Sequence, residues 1–347
     1  DLSVRKTSGK VEELRELLDR QPTSGSVGVG HTRWSTHGPP TDENAHPHRD
    51  CTGRVAVVHN GIIENYQRLR DDLTDGGHTF TSETDTEVVA HLIEDALARG
   101  DQPEAAFRSA IEQIEGSYAI GALVEGTEAL FAARNDSPLV IGLGLDPEGT
   151  GDFDASSGPY FIASDVPAFR EHTARVIYLE DGEFARLDDT LTVSDSDGTE
   201  LEKSVETIEW DAEETGKSGY DHYMLKEIHE QPRALRQCLR ERVDEMAGAV
   251  DLDDLGDLSP TGVQFVACGT SYHAALYGAQ LFREAGIPAQ AFLASEYATS
   301  VPPIGDALVV GVTQSGETAD TLAALRAAEK RGARTMVVTN TVGSTAA

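Results

Sequence analysis

From Val263 onward the chain repeats one unit: a short β-branched or apolar run, a polar turn rich in hydroxyls, then a helical pattern. Val263–Ala267 reads as a strand, Cys268-Gly269-Thr270-Ser271 as a turn and Tyr272–Ala285 as a helix. Ala289–Leu293 and Ala307–Val312 read as further strands. The turn Thr313-Gln314-Ser315-Gly316-Glu317-Thr318 then leads into the helix Ala319–Arg331 and a last strand, Thr335–Thr339. Such alternation permits few folds, because consecutive parallel strands need a crossover, and a right-handed helical one packs back on the sheet. We expect a doubly wound parallel sheet. Both polar turns fall where strand C-termini meet helix N-termini, the place where an open α/β sheet binds its ligands. Free N–H groups there suit a phosphate. A single Ser or Thr before a helix is more often a cap, but two Gly- and hydroxyl-rich turns in adjacent units favour a ligand. Neither turn is a Walker loop or a GxGxxG fingerprint, which weighs against nucleotides.

Ahead of residue 260 the pattern is different. Val11–Arg20, Tyr66–Gly76 and Thr86–Arg99 read as helices, the last with Val88, Val89, Leu92, Ile93 and Leu97 on one face. Tyr118–Val124, Ala129–Arg134, Tyr160–Ala163, Ala174–Leu179 and Glu183–Leu187 read as strands joined by hairpin-length connections, and Leu2–Arg5 is strand-like. This mixture points to an α/β sandwich with antiparallel sheets. Asp146–Gly158 reads as a surface loop, and the acidic, irregular stretch from Lys203 to Gly219 as a linker. The expected division is 1–203, a linker and helical lead-in over 204–253, and 254–347.

Three blocks in the first region carry chemistry: His31-Thr32-Arg33-Trp34-Ser35-Thr36-His37-Gly38, His59-Asn60-Gly61-Ile62-Ile63-Glu64-Asn65 and Ser82-Glu83-Thr84-Asp85-Thr86-Glu87. Arg33 offers a planar fork able to grip a carboxylate through two charge-assisted hydrogen bonds, with Thr36 and His37 beside it on the same loop. Asp85 can take an ammonium group. Asn60 and Gly61 pair a side-chain amide donor with a glycine N–H, the makings of an oxyanion hole. Taken alone, Asn-Gly after Val55–Val58 reads equally as a hairpin turn; the three blocks together favour a pocket for an amino acid with a side-chain amide.

The blocks resemble the glutaminase domain of the glutamine–fructose-6-phosphate aminotransferase (glucosamine-6-phosphate synthase) family. The similarity continues through Asn44-Ala45-His46-Pro47-His48 and Ser137-Pro138-Leu139-Val140-Ile141-Gly142. The turns of the last region, above all Thr313–Thr318, resemble the family's sugar isomerase (SIS) domain. The resemblance implies an N-terminal-nucleophile-type glutaminase followed by a SIS domain. It implies that Arg33, Thr36 and His37 bind the glutamine α-carboxylate and Asp85 its ammonium. It further implies that Asn60 and Gly61 form the oxyanion hole and that Trp34 gates an ammonia channel. Thr270, Ser271, Thr313, Gln314, Ser315 and Thr318 hold the sugar phosphate. The implied reaction takes glutamine and fructose 6-phosphate to glucosamine 6-phosphate and glutamate, with no organic cofactor or metal, in a homodimer. The family's N-terminal cysteine nucleophile and its isomerisation bases have no counterpart here, so the sequence is expected to be an internal piece of a longer protein. Cys51 lies among acids with no α-amine beside it and does not replace the nucleophile. Two other readings stand beside this one: a phosphoribosylpyrophosphate-type amidotransferase, disfavoured by the SIS turns, and a non-catalytic binder of glutamine or sugar phosphate.

Charge and cysteine content narrow the setting. The formal net charge is -32, with Asp and Glu totalling 60 against 28 Lys and Arg. The acids are scattered through folded-looking segments. That distribution suits a halophilic source, where molar salt cuts screening lengths to about 3 Å, and it disfavours nucleic acid. Three cysteines without framework spacing fit a reducing cytoplasm, and no apolar run nears the ~20 residues of a membrane span. His31, His37, His46, His48 and His59 invite comparison with a metal site. They lack paired cysteines or an i,i+4 His-Glu helix pattern, so hydrogen-bonding roles are expected.

Overall fold

The computed structural model describes residues 2–33, 38–145, 158–208, 220–240, 243–244, 249–250, 260–341 and 344–346. Its internal contacts divide into two units, Asp1–Glu209 and Trp210–Ala347.

The first unit holds helices α1 (Val11–Arg20), α2 (Tyr66–Asp75), α3 (Glu87–Ala98) and α4 (Pro103–Ile111). Its strands are β1 (His48–Arg49), β2 (Val55–Ile63), β3 (Gly116–Val124), β4 (Leu130–Asn135), β5 (Val140–Leu143), β6 (Tyr160–Ala163), β7 (Arg175–Tyr178), β8 (Phe184–Leu187), β9 (Leu191–Ser194) and β10 (Glu206–Thr207). They form a six-stranded sheet in the order β1-β2-β3-β4-β8-β9 and a four-stranded sheet in the order β10-β7-β5-β6. Every pairing in both is antiparallel.

Alternation along the strands builds two cores from one sheet. Val55, Val57, Ile120, Ala122, Phe131 and Ala133 turn toward Val88, Val89, Leu92 and Ile93 of α3 and Phe107 of α4. The opposite face, with Ala119, Leu130, Ala132 and Leu187, meets Ile141, Leu143 and Ile177 of the second sheet. Each such buried Val, Leu, Ile or Phe contributes roughly 1.5–3 kcal/mol. The α/β sandwich with antiparallel sheets expected from the sequence is therefore present.

In the second unit α5 (Tyr223–Arg240) carries Pro232 in its interior, and a short ladder joins β11 (Val243–Asp244) to β12 (Ala249–Val250). Then follow β13 (Val263–Ala267), α6 (Gly269–Glu284), β14 (Ala289–Leu293), α7 (Ala294–Thr299), β15 (Leu308–Val312), α8 (Ala319–Glu329) and β16 (Arg334–Val338). The sheet runs β14-β13-β15-β16, parallel throughout. Val263, Phe265, Leu308 and Val310 pack on Ala275 and Ala279 of α6. Val266 and Val309 pack on Tyr297 of α7 and Ala324, Leu325 and Ala328 of α8. With helices on both faces the sheet is doubly wound, as expected.

Some expectations change. Leu2–Arg5 joins no strand, and Arg5 instead bonds Gln21 O at 3.1 Å. Asn60-Gly61 is no hairpin turn, because β2 runs through it and pairs with β3, Gly61 lying opposite Tyr118. The helix expected from Tyr272 already begins at Gly269, so Thr270 and Ser271 sit in its first turn. Glu206–Thr207, within the stretch read as linker, pairs with β7. The loop expected over Asp146–Gly158 lies almost wholly outside the described residues.

Candidate functional site

Trp34, Thr36 and His37 lie outside the described residues. Of the remaining residues of the first candidate pocket, Arg33 and Asp85 are held by side-chain bonds to backbone. Arg33 donates from its two terminal nitrogens to Pro39 O at 2.9 Å and Gly38 O at 3.0 Å, closing its own loop. Asn44, almost fully buried, also donates to Pro39 O (3.0 Å), and its Oδ1 accepts from Glu83 N at 2.8 Å. Asn44 therefore ties the Arg33 loop to the strip that ends in Asp85. In the sequence Asn44 stands out only as part of a motif; nothing local signals that its buried amide spans two loops.

Asp85 is buried, and its Oδ2 accepts from Ile63 N at 2.8 Å at the end of β2. Two residues on, the Glu87 carboxylate accepts from Thr81 N and Ser82 N, both at 2.7 Å, and from Ser82 Oγ at 2.6 Å. Burial raises its pKa, but His91 beside it and these Ser82 and Thr81 donors outweigh that and hold the carboxyl down at about 2. The strip before α3 is thus pinned by the helix's own first residue.

Asn60 is exposed on β2, and its Oδ1 lies 2.8 Å from His31 Nε2. Burial lowers the His31 pKa more than this bond raises it. A neutral ring with Nε2 protonated donates to Oδ1, which turns the Asn60 amide N–H groups outward. Gly61 has φ +123°, and a Cβ there would sit 2.0 Å from Ser117 O. Only glycine fits, and its place is set by β3. His46 and His48 meet edge to face in the same histidine group, with ring centroids 4.8 Å apart. Burial pushes His48 down to about 3 and His46 lower still, with neighbouring cations adding to both. A cleft of about 410 Å³ opens beside His31, Arg33, Arg5 and His46; Asn60, Gly61 and Asp85 do not line it.

The second candidate site is compact in sequence. Strand order reverses between β13 and β15, which pair with Ala267 opposite Val312. The two polar turns therefore emerge side by side at the switch point. Neither α6 nor α8 has a side-chain cap bond, so Thr318 stands at the N-cap of α8 without closing it through its hydroxyl. Its hydroxyl meets that of buried Thr313 at 3.1 Å, and Thr313 Oγ1 also accepts from Gly316 N at 3.2 Å. Ser315 Oγ accepts from Glu317 N at 3.1 Å. Gln314 is exposed while its carbonyl accepts from Asn340 N at 3.2 Å. Thr270 is exposed and Ser271 half-buried at the start of α6, and Cys268 Sγ lies 3.8 Å from Asp320 Oδ2, joining the two turns. Uncapped helix starts lined with hydroxyls leave N–H groups for an anion.

With these folds in view, the chain matches the glutamine amidotransferase domain family over residues 31–144 and the SIS domain family over residues 260–347. Over 99% of its length it is similar to proteins named glutamine–fructose-6-phosphate aminotransferase [isomerizing]. The identity is 48% with that of Methanothermobacter thermautotrophicus, 51% with that of Halobacterium salinarum and 45% with that of Thermococcus kodakarensis. The chain spans 56% of the length of each of these relatives.

Proposed function

We propose that the chain is part of an enzyme that transfers the amide nitrogen of glutamine to fructose 6-phosphate and isomerises the product to glucosamine 6-phosphate. The observation that carries this is the near-complete alignment, through both domains in the same order, with relatives of that name. Under this reading the domains are 1–203 and 254–347, joined by 204–253.

In the first domain Asp85 takes the glutamine ammonium, and Arg33 with Thr36 and His37 takes its carboxylate. Asn60 and Gly61 stabilise the oxyanion of the tetrahedral intermediate, Asn60 through the amide N–H groups that the His31 contact at 2.8 Å leaves available. Trp34 gates the passage of ammonia. In the second domain Thr270, Ser271, Thr313, Gln314, Ser315 and Thr318 hold the sugar phosphate, supported by the uncapped starts of α6 and α8. The reading requires a cysteine nucleophile outside these residues. Cys51 does not serve: burial raises its thiol pKa, and Glu94 and Asp50 add to the rise.

We further propose a cytoplasmic homodimer from a halophile. The net charge of -32 supports a salt-dependent fold; no described helix is long and apolar enough to cross a membrane. The test is the full-length protein in molar KCl, assayed for glucosamine 6-phosphate and glutamate from fructose 6-phosphate and glutamine. Equal release of both products upholds the reading; glutamate without amino sugar, or neither, overturns it. A melting temperature that does not rise with KCl removes the halophilic part.

A further inference from the structure

A second group of chemically active side chains lies in the first unit, outside both candidate sites. Three separate stretches meet there: Cys51 in the turn between β1 and β2, His78 after α2, and His91 with Glu94 on α3. One ligand-type atom from each of the four lies within 4.8 Å of all the others. Cys51 Sγ is 3.7 Å from Nδ1 of His78 and 3.7 Å from Nδ1 of His91. Glu94 Oε2 is 3.0 Å from His78 Nδ1 and 3.2 Å from His91 Nδ1. A tetrahedral zinc ion bonded at about 2.3 Å to sulfur and about 2.0–2.1 Å to nitrogen or oxygen would have S···N edges of about 3.5–3.6 Å and N···O edges of about 3.3 Å. Four of the six ligand–ligand separations come within a few tenths of an ångström of those edges, and the other two stay within 4.8 Å.

The surroundings are those of a metal site too. His78 Nε2 lies 2.8 Å from Asp95 Oδ1, a carboxylate that can hold a proton on Nε2 and so free Nδ1 for an ion. His91 Nε2 faces Glu87 Oε1 at 3.7 Å, and the ring is fully buried. Thr79 N donates to Cys51 Sγ at 3.3 Å, a bond that suits a thiolate. The turn that presents Cys51 is built by Asp50, whose Oδ1 accepts from Val55 N at 2.8 Å and whose Oδ2 accepts from Thr52 N at 3.2 Å. Cys51 is exposed, so an ion can reach ligands whose inner members are buried.

We propose that Cys51, His78, His91 and Glu94 bind a divalent zinc ion in a closed, four-coordinate structural site that joins the β1–β2 turn, the loop after α2 and α3. One thiolate and two imidazoles favour zinc over magnesium or calcium, and four protein ligands leave no open position for catalysis. Binding displaces the Cys51 thiol proton and any proton on the two Nδ1 atoms. The rival arrangement is a purely hydrogen-bonded network in which Glu94 accepts from both imidazoles and from Cys51 N at 3.1 Å. The expectation of no metal rests on the family resemblance and on the histidines between His31 and His59, none of which belongs to this cluster. The site does not depend on the proposed enzymatic reading.

The experiment is elemental analysis and cobalt substitution of the full-length protein, purified without a polyhistidine tag. We expect about one zinc per chain, a melting temperature that drops on chelation and recovers with added zinc, and a Co2+ form with intense tetrahedral d–d bands and a thiolate charge-transfer band. Cys51→Ser, a near-isosteric change at an exposed position, should abolish that charge-transfer band while the far-ultraviolet circular dichroism is kept. Absence of bound zinc with no response of the melting temperature to zinc overturns the proposal. So does a Co2+ spectrum that is octahedral, or one that Cys51→Ser leaves unchanged.

Discussion

The two candidate sites are assembled in opposite ways. In the first unit Asn44, His31 and the strip that holds Asp85 and Glu87 come from distant stretches, and side-chain bonds, most of them to backbone, fix them. In the second, a six-residue turn and the start of one helix supply everything, and parallel strands bring them together. The first site depends on titratable groups and on tight backbone contact; the second depends on hydroxyls and helix starts. It follows that the first should be the more fragile, both to substitution and to acid.

Glycine substitution is where the largest difference is expected. At Gly61 a new Cβ meets a strand carbonyl, Ser117 O, at 2.0 Å, with φ at +123°. At Gly316, with φ +74°, it meets the side-chain Oγ of Ser344, also at 2.0 Å. Ser344 Cβ lies at 2.3 Å as well, so the Ser344 backbone must give, and that residue belongs to no strand or helix; a strand carbonyl inside a paired sheet cannot step aside. Gly61→Ala should therefore destabilise the first unit by on the order of 3 kcal/mol and Gly316→Ala the second by only about 1–2 kcal/mol. Denaturant unfolding followed by probes in each unit measures both. Equal losses would remove the contrast.

Asn60→Ala comes next. If the amide N–H groups serve as an oxyanion donor, kcat for glutamine hydrolysis by the full-length protein falls by about 10²–10³, while binding of sugar phosphate is unchanged. A loss confined to KM would make Asn60 a substrate-binding residue instead.

Acid should separate the units without any mutation. His48 is held at about 3 and half-buried His46 lower, so both stay neutral when folded, whereas unfolded histidines take up protons below about 6.5. The unfolded state then binds more protons, and stability declines as pH falls from about 6.5 toward 3. Glu87, held at about 2, adds a loss that begins below about 4.5 and completes near 2. Among the described groups of the second unit, the one shift resolved is Tyr297, pushed up by burial, and it does not titrate in acid. The melting temperature of the first unit should fall between pH 6.5 and 4 while that of the second holds; parallel declines would show that these histidines do not govern the difference.

The same contrast explains what could be read from the chain. The parallel sheet and both of its polar turns are legible because strand, turn and helix follow one another in sequence. The bounds of β13 and β14 match expectation, and α6 starts early only because Gly269, at φ +55°, already opens the helix. In the first unit local pattern misleads wherever a partner decides the outcome. Leu2–Arg5 alternates like a strand but finds no ladder, and Asn60-Gly61 has the composition of a turn but is drawn into β2 by nine paired positions of β3. α4 escapes notice because half of its buried face is small, with Ala106 and Ala110 beside Phe107 and Ile111. The Cys51 cluster is invisible because the two histidines lie 27 and 40 positions from Cys51 with no spacing signature, and only the fold joins them.

The smallest expected effect tests the second site at its one buried hydroxyl. Thr313 Oγ1 touches both Thr318 Oγ1 and Gly316 N, so it can shape the turn without touching a ligand at all. Thr313→Val keeps the volume and removes both bonds, each worth about 0.5–1.5 kcal/mol. If the turn is a phosphate cradle, the affinity for fructose 6-phosphate should weaken by about tenfold, which is ~1.4 kcal/mol, with glutamine hydrolysis untouched. Thr318→Val should do nearly the same, and the double variant should cost little more than either alone, because the two hydroxyls act through one contact. Fully additive losses would mean that each hydroxyl meets the sugar phosphate independently, and the turn would then be a set of separate contacts rather than one preformed unit.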